Sequence, residues 1–140
     1  MTNAYMRQAS ALYQQTSLAG RVESADPHQL IALLLDGAIE RIAQARGHLR
    51  RGDVPAKGAA ITKAIAIVGE LRVSLDQKAG GEVAQRLDSL YDYITRRLLS
   101  AQLNNDEGMM AECMDLLEPV RKGWNGIRDA YLASRTGSAA

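Results

Sequence analysis

Few side chains in this sequence of 140 residues could do chemistry: the histidines are His28 and His48, and the single cysteine is Cys113. In a helical protein, paired histidines suggest a di-iron site, which is built from Glu-x-x-His pairs projecting inward from facing helices. Neither histidine stands three residues after a glutamate, so no metal ligand is assigned. Phosphotransfer would need an exposed histidine in mid-helix beside a small residue. His48 follows Gly47 but falls near a helix end. A nucleophilic cysteine needs a cationic, partly exposed setting. Cys113 instead shares an apolar stripe with Met110 and Leu117, where a thiol packs as a small hydrophobe. Gly80-Gly81 lacks the surroundings of a phosphate loop or dinucleotide fingerprint and reads as a turn. Arg50-Arg51 complements a helix C-terminus, and Arg96-Arg97 reads as a solvated face with Asp92 in pairing range. No catalytic residue, cofactor or metal is expected, and the chain is not expected to be an enzyme.

The elements that must position anything else are helices. Hydrophobic residues make up 46% of the chain and aromatics only 4%, with no Phe, a composition suited to helix-on-helix packing. Lys plus Arg is 17 against 16 for Asp plus Glu, a net charge of +1, so nucleic acid is not an expected partner. A lone cysteine, no signal-type leader and no long apolar run predict a soluble cytoplasmic chain without membrane insertion.

Four helices are predicted, the first from Asp26-Pro27 to about Arg51. Asp26 caps it, Gln29 stands in the capping-box position, and its apolar face is Leu30, Leu34, Ala38, Ile42, Ala45 and Leu49. Gly37 in mid-helix suggests close approach of a neighbouring backbone. Asp53-Val54-Pro55 starts the second, with Ile61, Ile65, Val68, Leu71 and Leu75 inward. The third opens at Gly80-Gly81, faces the core with Val83, Leu87, Leu90, Ile94, Leu98 and Ala101, and stops at Asn104-Asn105. Asp106 caps the fourth, whose seam is Met110, Cys113, Leu117, Val120, Trp124, Ile127 and Tyr131. Pro119 predicts a kink near Asp115. Short links between these helices predict an all-α, antiparallel up-down-up-down four-helix bundle over residues 21–133. Residues 1–20 are expected to form a short, partly ordered N-terminal helical segment, and residues 134–140 a disordered tail.

Apolar residues exceed what one seam per helix needs. Ile67 and Val73 on the second helix, and Leu99 and Leu103 on the third, lie off the seam, and Tyr91 and Tyr93 flank it. Left exposed, such residues form a groove for an amphipathic segment. The weakly apolar stretch Tyr5–Thr16 is expected to lie over that groove when no partner is bound. Groove candidates are Ile67, Leu71, Leu75, Tyr91, Ile94 and Leu98, with Tyr13 as the lid.

Taken in order, Asp26-Pro27 with Gln29-Leu30-Ile31, Asp36-Gly37-Ala38, Lys63-Ala64 with Ile67, Ser74-Leu75-Asp76, Gly80-Gly81-Glu82, Leu90-Tyr91-Asp92-Tyr93 with Arg97-Leu98, Asn104 with Asp106, and Trp124 resemble the flagellar export chaperone family FliS. The resemblance runs from about Ala25 to Ile127; the family often has an aromatic where this chain has Leu35. It implies a cytoplasmic monomer around which the C-terminal segment of flagellin wraps in largely helical form. Premature polymerisation is thereby prevented, and the loaded complex docks at the export gate. In that pattern Tyr13 matches the family's N-terminal tyrosine. The other readings are a homodimeric structural bundle without a client and a histidine-phosphotransfer module using His48.

Overall fold

The computed structural model describes residues 26–139, and those residues form four helices. They are α1 (Pro27–Arg50), α2 (Val54–Val73), α3 (Gln77–Asn104) and α4 (Glu107–Ala139). The expected lid and Tyr13 lie outside the described residues. α1 packs on α2 and α4, and α3 packs on the same two, so each helix has two antiparallel neighbours. The most extensive contact is between α1 and α2, and the least between α3 and α4.

Short polar side chains set the helix starts. Asp26 Oδ1 accepts from Gln29 N at 2.6 Å, Asp53 Oδ1 from Ala56 N at 3.1 Å, and Asp106 Oδ1 from Met109 N at 3.1 Å. Pro27 and Pro55 each sit in a first turn, where a missing N–H costs nothing. The α1–α2 corner passes through Gly52 at φ 78°, and α3 ends on Asn105 at φ 49°.

Two expectations change. α3 begins at Gln77, not at the glycines: Asp76 caps Lys78 N and Ala79 N, and Gly81 (φ 50°, ψ −125°) breaks the helix after that first turn. The break leaves Val83 turned outward at 65% exposure, while Ala84, Tyr91, Ile94, Leu98 and Ala101 face the core. Tyr91 is therefore core, with its neighbour Leu90 only half-buried. On α2, Ile67 is core rather than off-seam, because the buried line runs Ala60, Ile61, Ala64, Ile67, Val68 and Leu71. α4 runs as one helix from Glu107 to Ala139 with Pro119 inside it. Asp115 and Pro119 are both exposed, so the carbonyl deprived of its donor lies on the wet side of the helix.

Cys113 is buried in the core as expected; its thiol reaches Ile94 O at 3.8 Å, and burial pushes its pKa up to about 12. A second buried polar group ties two helices together. Lys57 Nζ donates to Gln102 O at 3.0 Å and to Gln102 Oε1 at 2.9 Å, while Gln102 Nε2 donates to Gly58 O at 3.1 Å. The ammonium thus sits in the last turn of α3, where the carbonyls carry partial negative charge. Lys57→Met keeps the apolar stem but leaves the Gln102 acceptors without their donor. We expect a loss of roughly 1–3 kcal/mol in urea unfolding, with unchanged helix content before the transition.

Candidate functional site

The bundle is open at one end. There the start of α1, the end of α2, the start of α3 and the second half of α4 converge around a cleft of about 280 Å³. Ile31 and Leu35 come from α1, Leu71 and Leu75 from the end of α2, Val83, Ala84, Leu87 and Tyr91 from α3, and Val120 and Trp124 from α4. The only side chains in the lining that end in oxygens beyond Tyr91 are Ser74 and Asp76. Ser74 Oγ donates to Leu71 O at 2.6 Å, and Asp76 accepts from the N–H groups of Lys78 and Ala79. Both are engaged by their own backbone, so the cleft offers an apolar surface and no free hydrogen-bonding array. Burial raises the Tyr91 pKa to about 12. Aliphatic or aromatic side chains of a partner suit this chemistry.

Trp124 stands at the cleft's edge. Its indole Nε1 donates to His28 O at 2.9 Å, and its ring stacks on His28 with centroids 4.2 Å apart. On the other side of that stack a second cavity of about 300 Å³ is lined by Pro27, His28, Leu30, Ile31, Ser74 and Trp124. Ion pairs brace the neighbouring helices. Arg72 on α2 donates to Asp88 at 2.6 Å and to Asp92 at 3.1 Å, both on α3, and holds the Asp88 carboxyl below its usual pKa. Arg121 on α4 pairs with Asp36 on α1 and with Glu118. Between α3 and α4, Glu112 accepts from Tyr93 Oη and from Arg97 Nε, both at 2.7 Å.

Of the residues singled out from sequence, Leu71, Leu75 and Tyr91 meet in this cleft. Ile67, Ile94 and Leu98 are not part of its lining and are fully buried in the core. Their 3–4 spacing was already the mark of core. Ile31, Leu35, Val120 and Trp124 were missed as lining. The run Leu33-Leu34-Leu35 after Ile31 is too wide for a single seam, and that width was the available signal. The α4 seam also runs out, since Ile127, one turn beyond Trp124, is 58% exposed. At the opposite end of the bundle Leu99 (50%) and Leu103 (83%) are exposed with Val54, as expected for the α3 pair. His48 lies in the last turn of α1, with Nδ1 3.0 Å from an Arg51 guanidinium nitrogen. Among the described residues no group of three or more His, Cys, Asp or Glu is placed to hold a metal ion. No helix among them is long and apolar enough to cross a membrane.

One turn before Ser74, Glu70 is only 1% exposed, and neither carboxyl oxygen has a hydrogen-bond partner. Burial raises its pKa, so the folded chain holds that proton more tightly than the unfolded chain does. A raised carboxyl contributes stability below its unfolded pKa, near 4.5, and loses it as pH rises through the folded value. Glu70→Gln should therefore raise the thermal midpoint at pH 7.5, with a gain that shrinks toward pH 4. A gain independent of pH would show that burial of the charge is not the cause.

Comparison with known proteins adds the following. The family profile described as Flagellar protein FliS matches residues 8–131. The chain is 47% identical over 123 residues to the flagellar secretion chaperone FliSB of Pseudomonas aeruginosa, covering 88% of this chain and 98% of that protein. It is 47% identical over 116 residues to the flagellar secretion chaperone FliS of Salmonella typhimurium, covering 82% and 86%. The FliS of Bacillus subtilis is 31% identical over 126 residues, covering 90% of each.

Proposed function

The chain belongs to the FliS family, and from that premise we propose that it is a cytoplasmic export chaperone for flagellin. It binds the C-terminal segment of flagellin, prevents premature polymerisation, and keeps the subunit competent for export through the flagellar type III gate. The observation that carries this reading is the apolar cleft at the open end, in whose lining Ser74 Oγ and Asp76 Oδ1 bond to nearby backbone. Such a surface selects apolar side chains presented by a helix and does no bond chemistry on them.

Contact centres on Leu71, Leu75 and Tyr91, with Val83 and Ile127 as exposed flanks. Ile67, Ile94 and Leu98 serve as the floor that holds these walls in place. Leu99 and Leu103, at the far end of α3, give a wrapping client a second apolar station. The distance from Val83 to Leu103 along the helix is about 30 Å at 1.5 Å per residue, so a client touching both must be extended or bent. Tyr13 and its neighbours act as a lid over the cleft in the free chain and are displaced by the client. Binding is coupled folding: the client's ordering entropy opposes its apolar burial, and lid displacement weakens the net affinity further, which favours release at the gate without nucleotide.

The direct test is co-purification with flagellin and with flagellin lacking its C-terminal segment. Capture of the first and not the second is expected; equal capture of both would sink the proposal. Val83→Asp places a charge in the lining at an exposed position and should weaken binding at least about tenfold, equivalent to ~1.4 kcal/mol, with the circular dichroism spectrum unchanged. Light scattering of the dilute chain should give the monomer mass of 15.2 kDa. A stable dimer whose formation is abolished by Val83→Asp would favour a structural bundle without a client.

A further inference from the structure

The deepest lining residues of the cleft, Leu35, Leu71, Ala84 and Tyr91, have almost no exposed surface. A partner segment can reach them only if one wall moves. Three walls are braced across helices. α1 and α4 are joined by Trp124 to His28 O and by Arg121 to Asp36. α2 has the most extensive packing, against α1. From Asp88 onward α3 is held by Arg72, and further along by Glu112. The remaining wall is Gln77–Leu87. Every side-chain hydrogen bond in that stretch is local: Asp76 caps Lys78 and Ala79, and Arg86 pairs with Glu82 at 2.5 Å. Gly81 lies within it at φ 50° and ψ −125°, a combination that L side chains avoid. A methyl on Gly80 would meet Ala84 Cβ at 2.7 Å. The capped turn Gln77–Gly80 is thus a self-contained unit, joined to the rest of α3 through a residue free to rotate.

We propose that the corner Asp76–Gly81 is a hinged wall of the cleft, pivoting at Gly81, and that its swing admits the apolar segment of the client to Leu35, Leu71 and Tyr91. The inference rests on the reading of this cleft as a client surface. In the closed state Gly80, Val83 and Ala84 complete the lining. When the corner swings out, the Arg72 pairs keep the remainder of α3 in place, so opening does not unravel the bundle. Selectivity follows: the corner moves as a unit of one turn, which makes room for one or two bulky side chains and not for a whole helix.

Two measurements on the full chain test this without flagellin. In native-state hydrogen exchange, the amides of residues 82–85, whose i−4 acceptors at residues 78–81 belong to the swinging corner, should exchange at least about tenfold faster than those of residues 95–101 in the same helix. Equal protection overturns the hinge. The second uses anilinonaphthalene sulfonate as an apolar probe, read by energy transfer from Trp124, the chain's only tryptophan. Gly81→Ala should shift the probe's Kd by at least about threefold, whereas Gly52→Ala, at another positive-φ glycine (φ 78°) in the opposite corner, should leave it within about 1.5-fold. Equal shifts in both variants, or none in either, overturn the proposal. If Gly81→Ala fails to fold, the exchange comparison on the unaltered chain decides. A chain that captures flagellin yet shows uniform protection loses only the hinge; one with a mobile corner and no flagellin capture loses only the client.

Discussion

The tight contact between α1 and α2 is the constraint on which the rest of the structure depends. Gly37, Ala38 and Ala45 on one side, with Ala60 and Ala64 on the other, are all buried and small. Small residues let two helix axes come close, and the larger side chains between them, Leu34, Ile42, Ile61 and Ile67, then interdigitate. That pair forms a rigid half onto which α3 and α4 must dock. Short connections leave them no choice of partner, yet their own mutual contact is the weakest of the four. A bundle with one tight edge and one loose edge does not close evenly. Where the edges diverge, at the end holding Trp124 and Leu75, a cleft remains.

Polar interactions decide which parts of this uneven bundle can move. At the far end the buried Lys57 ties α2 to the last turn of α3, and Glu107 accepts an ion pair from Arg46 and another from Arg50, with its carboxyl held below the usual range by them. Midway, Glu112 gathers Tyr93 and Arg97. Individually such exposed pairs contribute little, but each fixes the register of one helix against the next. They stop at Asp88 on α3, one turn short of the cleft's outer wall. On α3 the cross-helix polar ties therefore end where its share of the cleft lining begins.

Much of this fold was legible from sequence because its punctuation is local. Asp26, Asp106 and Gly52 act through atoms within a few residues of themselves, and their roles could be read without knowing what packs on the helix. Seams with a strict three-four repeat, such as Met110, Cys113 and Leu117, were equally plain. Choices between adjacent residues were not. Leu90 and Tyr91 both extend an apolar stripe toward Ile94, and they differ only by the 100° that the partner helices resolve. Gly81 combined two meanings in one residue, the start of a helix and a break within it; Asp76 decided between them. The cleft was the least legible part, since its lining comes from all four helices and no single stripe contains it. Ile67 looked like surplus on its own helix and proves to be core once its neighbours are in place, as the seam residues Ile94 and Leu98 are.

An apolar cleft on a free chain raises the question of why it does not cause aggregation. Large contiguous apolar patches do so readily. Here the deepest residues are sealed by their own walls, and the exposed ones are split between the two ends, Val73, Val83 and Ile127 at one and Val54, Leu99 and Leu103 at the other, with the charged stretch of Arg86, Asp88, Asp92 and Arg96 between them. A long flexible client that reaches both ends pays the association cost once and gains both patches, the arithmetic of linked sites. Two apolar patches set apart in this way favour an extended partner over a compact one. Selectivity of this kind needs no specific hydrogen-bond code, in keeping with a cleft lined mainly by apolar side chains.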